Sequence, residues 1–319
     1  MGTGPSRERR LDGAGALQGR RPAMEDTLVS VHAALRDADL FAVFDGHGGS
    51  ETSTFLKENV LEALREVWSP RCSPRGRSAP PCAPLTLDPP LCGPQAQQAH
   101  APATKDGRGG TLSAASGGGG RGEDEEDDDV VLRAACLALD EAVLSRGLRD
   151  GSTGLLVLRR ASRLTLANVG DSRAVLSRDG RAVALTTDAT PRRVDEAKRV
   201  ERAGGHVRLF RVRVDGVDAA LAVSRAFGDA QFKQHRHVVT AEPEIRREAL
   251  TGDDEFLIIA SDGVWGVMTN QGAVSFVRNK LAKGDAQSAA DALVKHAVTH
   301  LHSNDNASAI VVILNSGTS

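Results

Sequence analysis

Tyrosine is absent from this 319-residue chain, and aromatic residues together make up 3% of it. With a surplus of Ala, Gly and Arg, that gap reads as nucleotide bias rather than as function. Neither charge is in excess: 40 Lys and Arg against 42 Asp and Glu leave a formal net charge of −2. That balance gives no electrostatic footprint for nucleic acid. No apolar run approaches the ~20 residues that cross a bilayer, and the N-terminus lacks the apolar core of a secretory signal. Cysteine is scarce. Cys72, Cys82 and Cys92 lie in a Pro- and Arg-rich stretch and Cys136 stands alone. Without a CxxC pair a zinc site is not expected, and reduced thiols are the simple reading. No cysteine is followed at the right distance by arginine, which excludes thiol-based phosphate-ester chemistry. The expectation is an intracellular protein, cytoplasmic or nuclear, and monomeric.

The chain is long enough for one large domain or two ordinary ones. After a polar tail, residues 1–10, short apolar runs at Thr27–Val31 and Leu40–Phe44 read as strands. Glu51–Val67 reads as a helix with Phe55, Leu56, Val60, Leu61 and Leu64 on one face. Residues 69–129 are dominated by Pro, Gly, Ser, Arg and Gln and end in seven consecutive acids. Such a stretch cannot bury enough apolar area to offset chain entropy, and disorder is expected. The acid run reads as a solvated, self-repelling tract, with cation or basic-partner binding as the alternative. Helical spacing resumes over Val130–Ser145. Strands follow at Leu155–Leu158, Leu164–Val169, Arg173–Ser177 and Ala182–Leu185, the last two joined by Asp179-Gly180, a hairpin signal. A short helix over Asp195–Arg202, strands over His206–Val214, Ala219–Val223, Phe256–Ala260 and Ser308–Leu314, and helices near Gln271–Leu281 and Ala286–His300 complete the pattern. Hairpin signals dominate and βαβ alternation is missing, which favours antiparallel sheets with helices outside.

Four acids share one habit: Glu25 precedes a strand, Asp45 and Asp262 end apolar runs, and Asp305 lies just before the last strand. A carboxylate beside an apolar strand is costly unless compensated, and a divalent cation compensates most strongly. Oxygen ligands with little His or Cys point to Mg²⁺ or Mn²⁺. A single such acid is ordinarily a cap or turn residue, and spacing alone leaves the two readings even. Asp45-Gly46-His47-Gly48-Gly49 adds an imidazole and glycines that expose backbone carbonyls.

Seven motifs then carry a resemblance: Arg20-Arg21-Pro22-Ala23-Met24-Glu25-Asp26, Phe41–Gly49, Asp150-Gly151-Ser152-Thr153, Asn168–Ala174, Leu221–Asp229, Ala260–Trp265 and Asp305-Asn306-Ala307-Ser308. In this order they resemble the type 2C metal-dependent serine/threonine protein phosphatases. The resemblance implies an α+β, four-layer sandwich of two central antiparallel β-sheets flanked by α-helices. One catalytic domain would span 11–316, interrupted by the 69–129 insert. It implies hydrolysis of phosphoserine and phosphothreonine in protein substrates with two Mn²⁺ or Mg²⁺ ions per chain. Asp45 would bridge the ions, with Glu25 and the Gly46 carbonyl completing one site and Asp262 with Asp305 the other. The attacking group would be a bridging water, without a covalent intermediate. Arg21 would clamp the phosphate, although arginine near acids is often only an ion pair. His47 would protonate the leaving oxygen or orient a water.

The resemblance also implies a third, weaker metal at Asp171 and Asp262. Gly266 stands where the family has another aspartate, so third-metal binding is expected to be weak or absent. The flap, about Thr187–Ala220, departs as well, with Ala189-Thr190 and Ala219-Ala220 in place of the family's usual residues. The alternative is a pseudophosphatase that binds partners. A third reading, a membrane-tethered adaptor, rests on Gly2 and Ser6, which fit an N-myristoylation pattern. One acyl chain binds membranes only marginally, and an ordinary flexible terminus is favoured. A chain opening on Met1 and ending just after a strand is expected to be whole.

Overall fold

The computed structural model describes residues 11–68, 123–234 and 238–315, with side chains from 128 onward in the middle segment. Two five-stranded sheets form its centre. One has the order 12–17, 307–313, 254–260, 173–178, 181–184. The other runs 244–249, 163–169, 154–160, 38–44, 27–35. All neighbours within them are antiparallel.

Side-chain parity explains the layers. In the run Phe256–Ala260, Leu257 and Ile259 point between the sheets, where they meet Phe41, Val43, Leu155 and Ile310. Phe256, Ile258 and Ala260 point outward onto the helices Asn270–Leu281 and Ala286–Lys295. A strand buried on both faces is apolar throughout, as this one is. On the other side Leu40, Ala42, Phe44, Leu156 and Leu158 pack under the helices Glu51–Val67 and Glu123–Ser145. The result is the helix–sheet–sheet–helix sandwich that the motifs imply.

Three local readings change. The strand Asp12–Leu17 was not expected, because its Asp-Gly-Ala-Gly-Ala sequence carries almost no strand signal. Small residues are required there: a Cβ on Gly13 would overlap the backbone of Gln287 in the covering helix. His206–Val214 is not one strand but a hairpin, His206–Arg208 against Arg211–Arg213, turning at Leu209-Phe210. Ala219–Val223 contributes only an isolated bridge from Leu221 to Val212.

The expected disorder of 69–129 is also corrected at its end. The second helix begins at Glu123, before the expected Val130. Arg160 and Arg163 neutralise the buried Asp128 at 2.8 and 3.0 Å, and Arg247 takes Asp129 at 2.5 Å. Basic neighbours therefore relieve the repulsion that composition alone predicts. Residues 69–122 and the tail with Gly2 lie outside the described residues. Among the described residues no helix is long and apolar enough to cross a membrane. Cys136 is free and buried, and burial pushes its thiol up to about 12.

Candidate metal centre

Asp45 leaves the end of strand 38–44, and its carbonyl accepts from Thr153 N at 2.9 Å and Ser152 Oγ at 3.1 Å. Immediately after it, Gly46-His47 pairs with Gly151-Ser152, which pairs with Phe227-Gly228. This three-stranded patch brings three separate motifs to one point. Gly46 must be glycine: a Cβ there would lie 2.5 Å from the Glu25 carbonyl oxygen. Asp171 follows strand 163–169 across Gly170, whose φ is +113°. Asp262 follows strand 254–260, and Asp305 precedes strand 307–313. The two sheets thus deliver their acids from opposite sides.

These acids converge on a cleft of about 450 Å³ lined by Arg21, Asp45, Gly46, His47, Asp171, Asp262 and Asp305. Arg149, Arg211 and residues 219–223 form other parts of its wall. Carboxylate oxygens of Asp45, Asp171 and Asp262 lie within 4.8 Å of one another. Asp305 pairs with Arg21 at 2.6 Å. Glu25 is half-buried but is outside both that trio and the cleft lining. The tightest group therefore contains Asp171, expected only at a weak third site, rather than Glu25.

Electrostatics identify what the trio lacks. Burial, reinforced by Asp26, Asp262, Asp171 and Asp305, holds the Asp45 carboxyl well above the usual range. Burial and the charge of Asp262 push Asp171 up to about 7. Asp262 is raised by burial and by Asp305. Such crowding with no cation among the three is unfavourable, and a divalent ion is the compensation the donor set fits.

Three supporting residues had no role assigned from sequence. Asp26 is buried, accepts from Ser261 Oγ at 2.9 Å, and has an Oδ1 with no hydrogen-bond partner among the described residues. Burial, with Asp262 adding to it, pushes Asp26 up to about 6. Asn306 fastens the Arg20–Glu25 loop: it accepts from Glu25 N at 2.8 Å and donates to the Gln18 and Ala23 carbonyls at 2.7 and 3.0 Å. Asp229 lies 2.8 Å from His47 Nε2. Burial opposes a charge on His47, but Asp229, with Asp171 and Asp150, outweighs it and raises the imidazole's pKa. The signals for Asp26, Asn306 and Asp229 were their places inside three of the motifs.

A family model described as protein phosphatase 2C matches residues 119–306. The rice "Probable protein phosphatase 2C 42" is 34% identical over 311 residues, spanning 93% of this chain and 82% of that one. The chain belongs to the protein phosphatase 2C family. It is thereby a serine/threonine protein phosphatase, in a family that is metal-dependent. The rice "Probable protein phosphatase 2C 21" is 46% identical over 171 residues, 51% of this chain and 48% of the relative. Among solved structures, a serine-threonine phosphatase 2C from Toxoplasma gondii superposes with a TM-score of 0.70 at 20% identity, covering 95% of this chain and 94% of that one. A C. elegans sex determining protein gives 0.70 at 22% identity, covering 95% and 64%. At those identities the structures share the fold of this protein phosphatase 2C.

Proposed function

We propose that this cleft hydrolyses phosphoserine and phosphothreonine in proteins with two Mn²⁺ or Mg²⁺ ions held by Glu25, Asp45, the Gly46 carbonyl, Asp262 and Asp305. The observation that carries the reading is the crowding of Asp45, Asp171 and Asp262, none of which forms an ion pair among the described residues. Bound cations would supply a more acidic water as nucleophile and neutralise phosphoryl charge. The protein's own part is positional. Asp45, from one sheet, faces Asp262 and Asp305, from the other. Arg21 is half-exposed at the cleft wall, and its fork would match two phosphate oxygens if Asp305 served a cation instead. Otherwise the 2.6 Å pair is the plain ion pair that the sequence left open.

Asp229 holds His47 through Nε2, which leaves the other ring nitrogen to hand a proton to the leaving serine or threonine oxygen, or to orient a water. Asp171 with Asp262 would hold a third ion more weakly, since Gly266 offers no carboxylate. The catalytic unit proposed is the single sandwich domain, with the 69–122 segment inserted between two helices of one outer layer.

Phosphate release from a phosphothreonine peptide tests this directly, run with Mn²⁺, with Mg²⁺, with chelator, and with Asp262→Asn. Metal-dependent release abolished by the substitution is expected. Folded protein inactive with either metal would overturn the reading.

A further inference from the structure

The hairpin His206–Arg213 turns through two residues that are poorly suited to the turn. Leu209 and Phe210 both have positive φ, 52° and 58°, between Arg208 and Arg211, which face each other across the ladder. A two-residue turn of this hand favours Asn-Gly, and bulky side chains in it are strained. Both side chains are also left in water: Leu209 is 86% exposed and Phe210 56%. A sequence that needed only to reverse direction would use neither. Strain and apolar exposure at one tip, beside a reaction cleft, are the marks of a contact surface.

Charge indicates what the surface meets. Arg208, Arg211 and Arg213 are exposed, and none is paired with a carboxylate among the described residues. The Arg192 guanidinium lies 4.2 Å from the centre of the Phe210 ring. Arg211 lines the cleft itself, as does Arg149. Arginines therefore lead from the cleft to an apolar knob that immediately precedes Arg211 in the chain.

We propose that the Leu209–Phe210 tip and its arginines dock the substrate protein, selecting phosphorylated segments that carry acidic residues and a large apolar side chain within a few residues of the phosphoserine or phosphothreonine. This rests on the phosphatase reading of the cleft and names its substrate class. The acidic side chains face Arg208 and Arg211, and the apolar one covers Leu209 and Phe210. Neither tip residue lines the cleft, so the contact governs capture of the substrate rather than the chemistry.

The test is Leu209→Asn combined with Phe210→Gly, which gives the turn its preferred residues and so keeps the hairpin. Three substrates are compared with Mn²⁺: p-nitrophenyl phosphate, an acidic phosphothreonine peptide containing leucine, and the same peptide with lysine and glycine in place of the acidic residues and leucine. For the acidic peptide kcat/KM is expected to fall about 10-fold through KM, the scale of a lost apolar contact. The other two substrates stay within about twofold. Arg208→Glu should reverse the preference between the peptides, and raised salt should weaken it. An equal loss on all three substrates, or no loss on the acidic peptide, overturns the docking surface. Anisotropy of the labelled acidic peptide, bound to the unaltered and doubly substituted proteins, reads the same contact without turnover. Equal affinities there overturn it too, whereas failure of the phosphatase reading shows separately as no turnover of any substrate by the unaltered protein.

Discussion

Among the described residues, two groups of three acids are packed closely enough to share a metal ion: Asp45, Asp171 and Asp262 in the cleft, and Asp195, Glu196 and Glu244 at the base of the flap. Their surroundings set them apart. Glu196 receives Arg225 at 2.8 Å, Arg199 at 3.1 Å and Ser224 Oγ at 2.5 Å. Arg193 takes Asp195 at 2.5 Å and Glu244 at 2.8 Å. Although burial works against it, Arg225, Arg199 and Ser224 hold Glu196 down at about 2. Among the described residues the cleft trio forms no ion pair; Arg21 and His47 oppose the shifts of Asp262 and Asp171 only from a distance, and all three acids titrate upward. Proximity of acids is therefore a poor sign of a metal site by itself. Opposite pKa directions show which group is already neutralised by arginine and which still calls for a cation.

The contrast is broken most severely in the cleft. Asp45→Asn should reduce metal-dependent phosphate release by about 10³-fold, the upper range for removing one preorganised charge-stabilising group. The same variant should melt at a higher temperature than the parent in chelator at neutral pH. Release assays and thermal melts check both halves.

At the flap, Arg225→Met leaves the buried Glu196 with Arg199 and Ser224 alone and should cost about 1.5–3 kcal/mol of stability, read by denaturant unfolding. Simultaneous Glu196→Gln should recover much of that loss. Asp229→Asn should slow turnover roughly 10-fold, short of the ~10²–10⁴-fold expected when a general acid is removed outright. Its kcat should fall with little change in KM, because only the His47 ring is disturbed.

Acid and base separate the groups more gently. Glu196 has its folded pKa depressed from 4.5 to about 2. Its contribution to stability is complete above the unfolded value and disappears as pH falls toward 2. Asp171 has its folded pKa raised from 3.8 to about 7, so in chelator it lowers stability as pH rises across that span. Thermal melts of Glu196→Gln and Asp171→Asn against pH should flatten slopes of opposite sign. A last and smaller effect is stoichiometric: two tight Mn²⁺ per chain by calorimetry, a third appearing only weakly.

Much of this was legible in the sequence because apolar periodicity and glycine punctuation coincide with the elements. Glu51–Val67 is a helix over the expected span, and the acids at Asp45, Asp262 and Asp305 sit at strand ends as read. What escaped reading depended on partners distant in the chain. Asp12–Leu17 is a strand because a helix near residue 287 needs small residues beneath it. The turn at Leu209-Phe210 carries none of the residues by which turns announce themselves. Asp229 meets His47 only through three strands of two residues each. Glu196 reads as an ordinary exposed helix acid until Arg225 folds back onto it.

The stretch of sequence between Val67 and Glu123 divides the cleft's components unequally. Residues 11–67 bring Arg21, Asp45 and His47; residues 123–315 bring Asp171, Asp229, Asp262 and Asp305. The shorter portion is woven into both sheets, through 12–17 beside 307–313 and through 38–44 beside 154–160. Its helix also packs against the one that opens the longer portion. A protease that nicked the chain between those helices would leave every strand pairing among the described residues in place. The two fragments would remain interlocked, and neither alone would hold enough of the cleft to act, so the pair is suited to split-protein complementation.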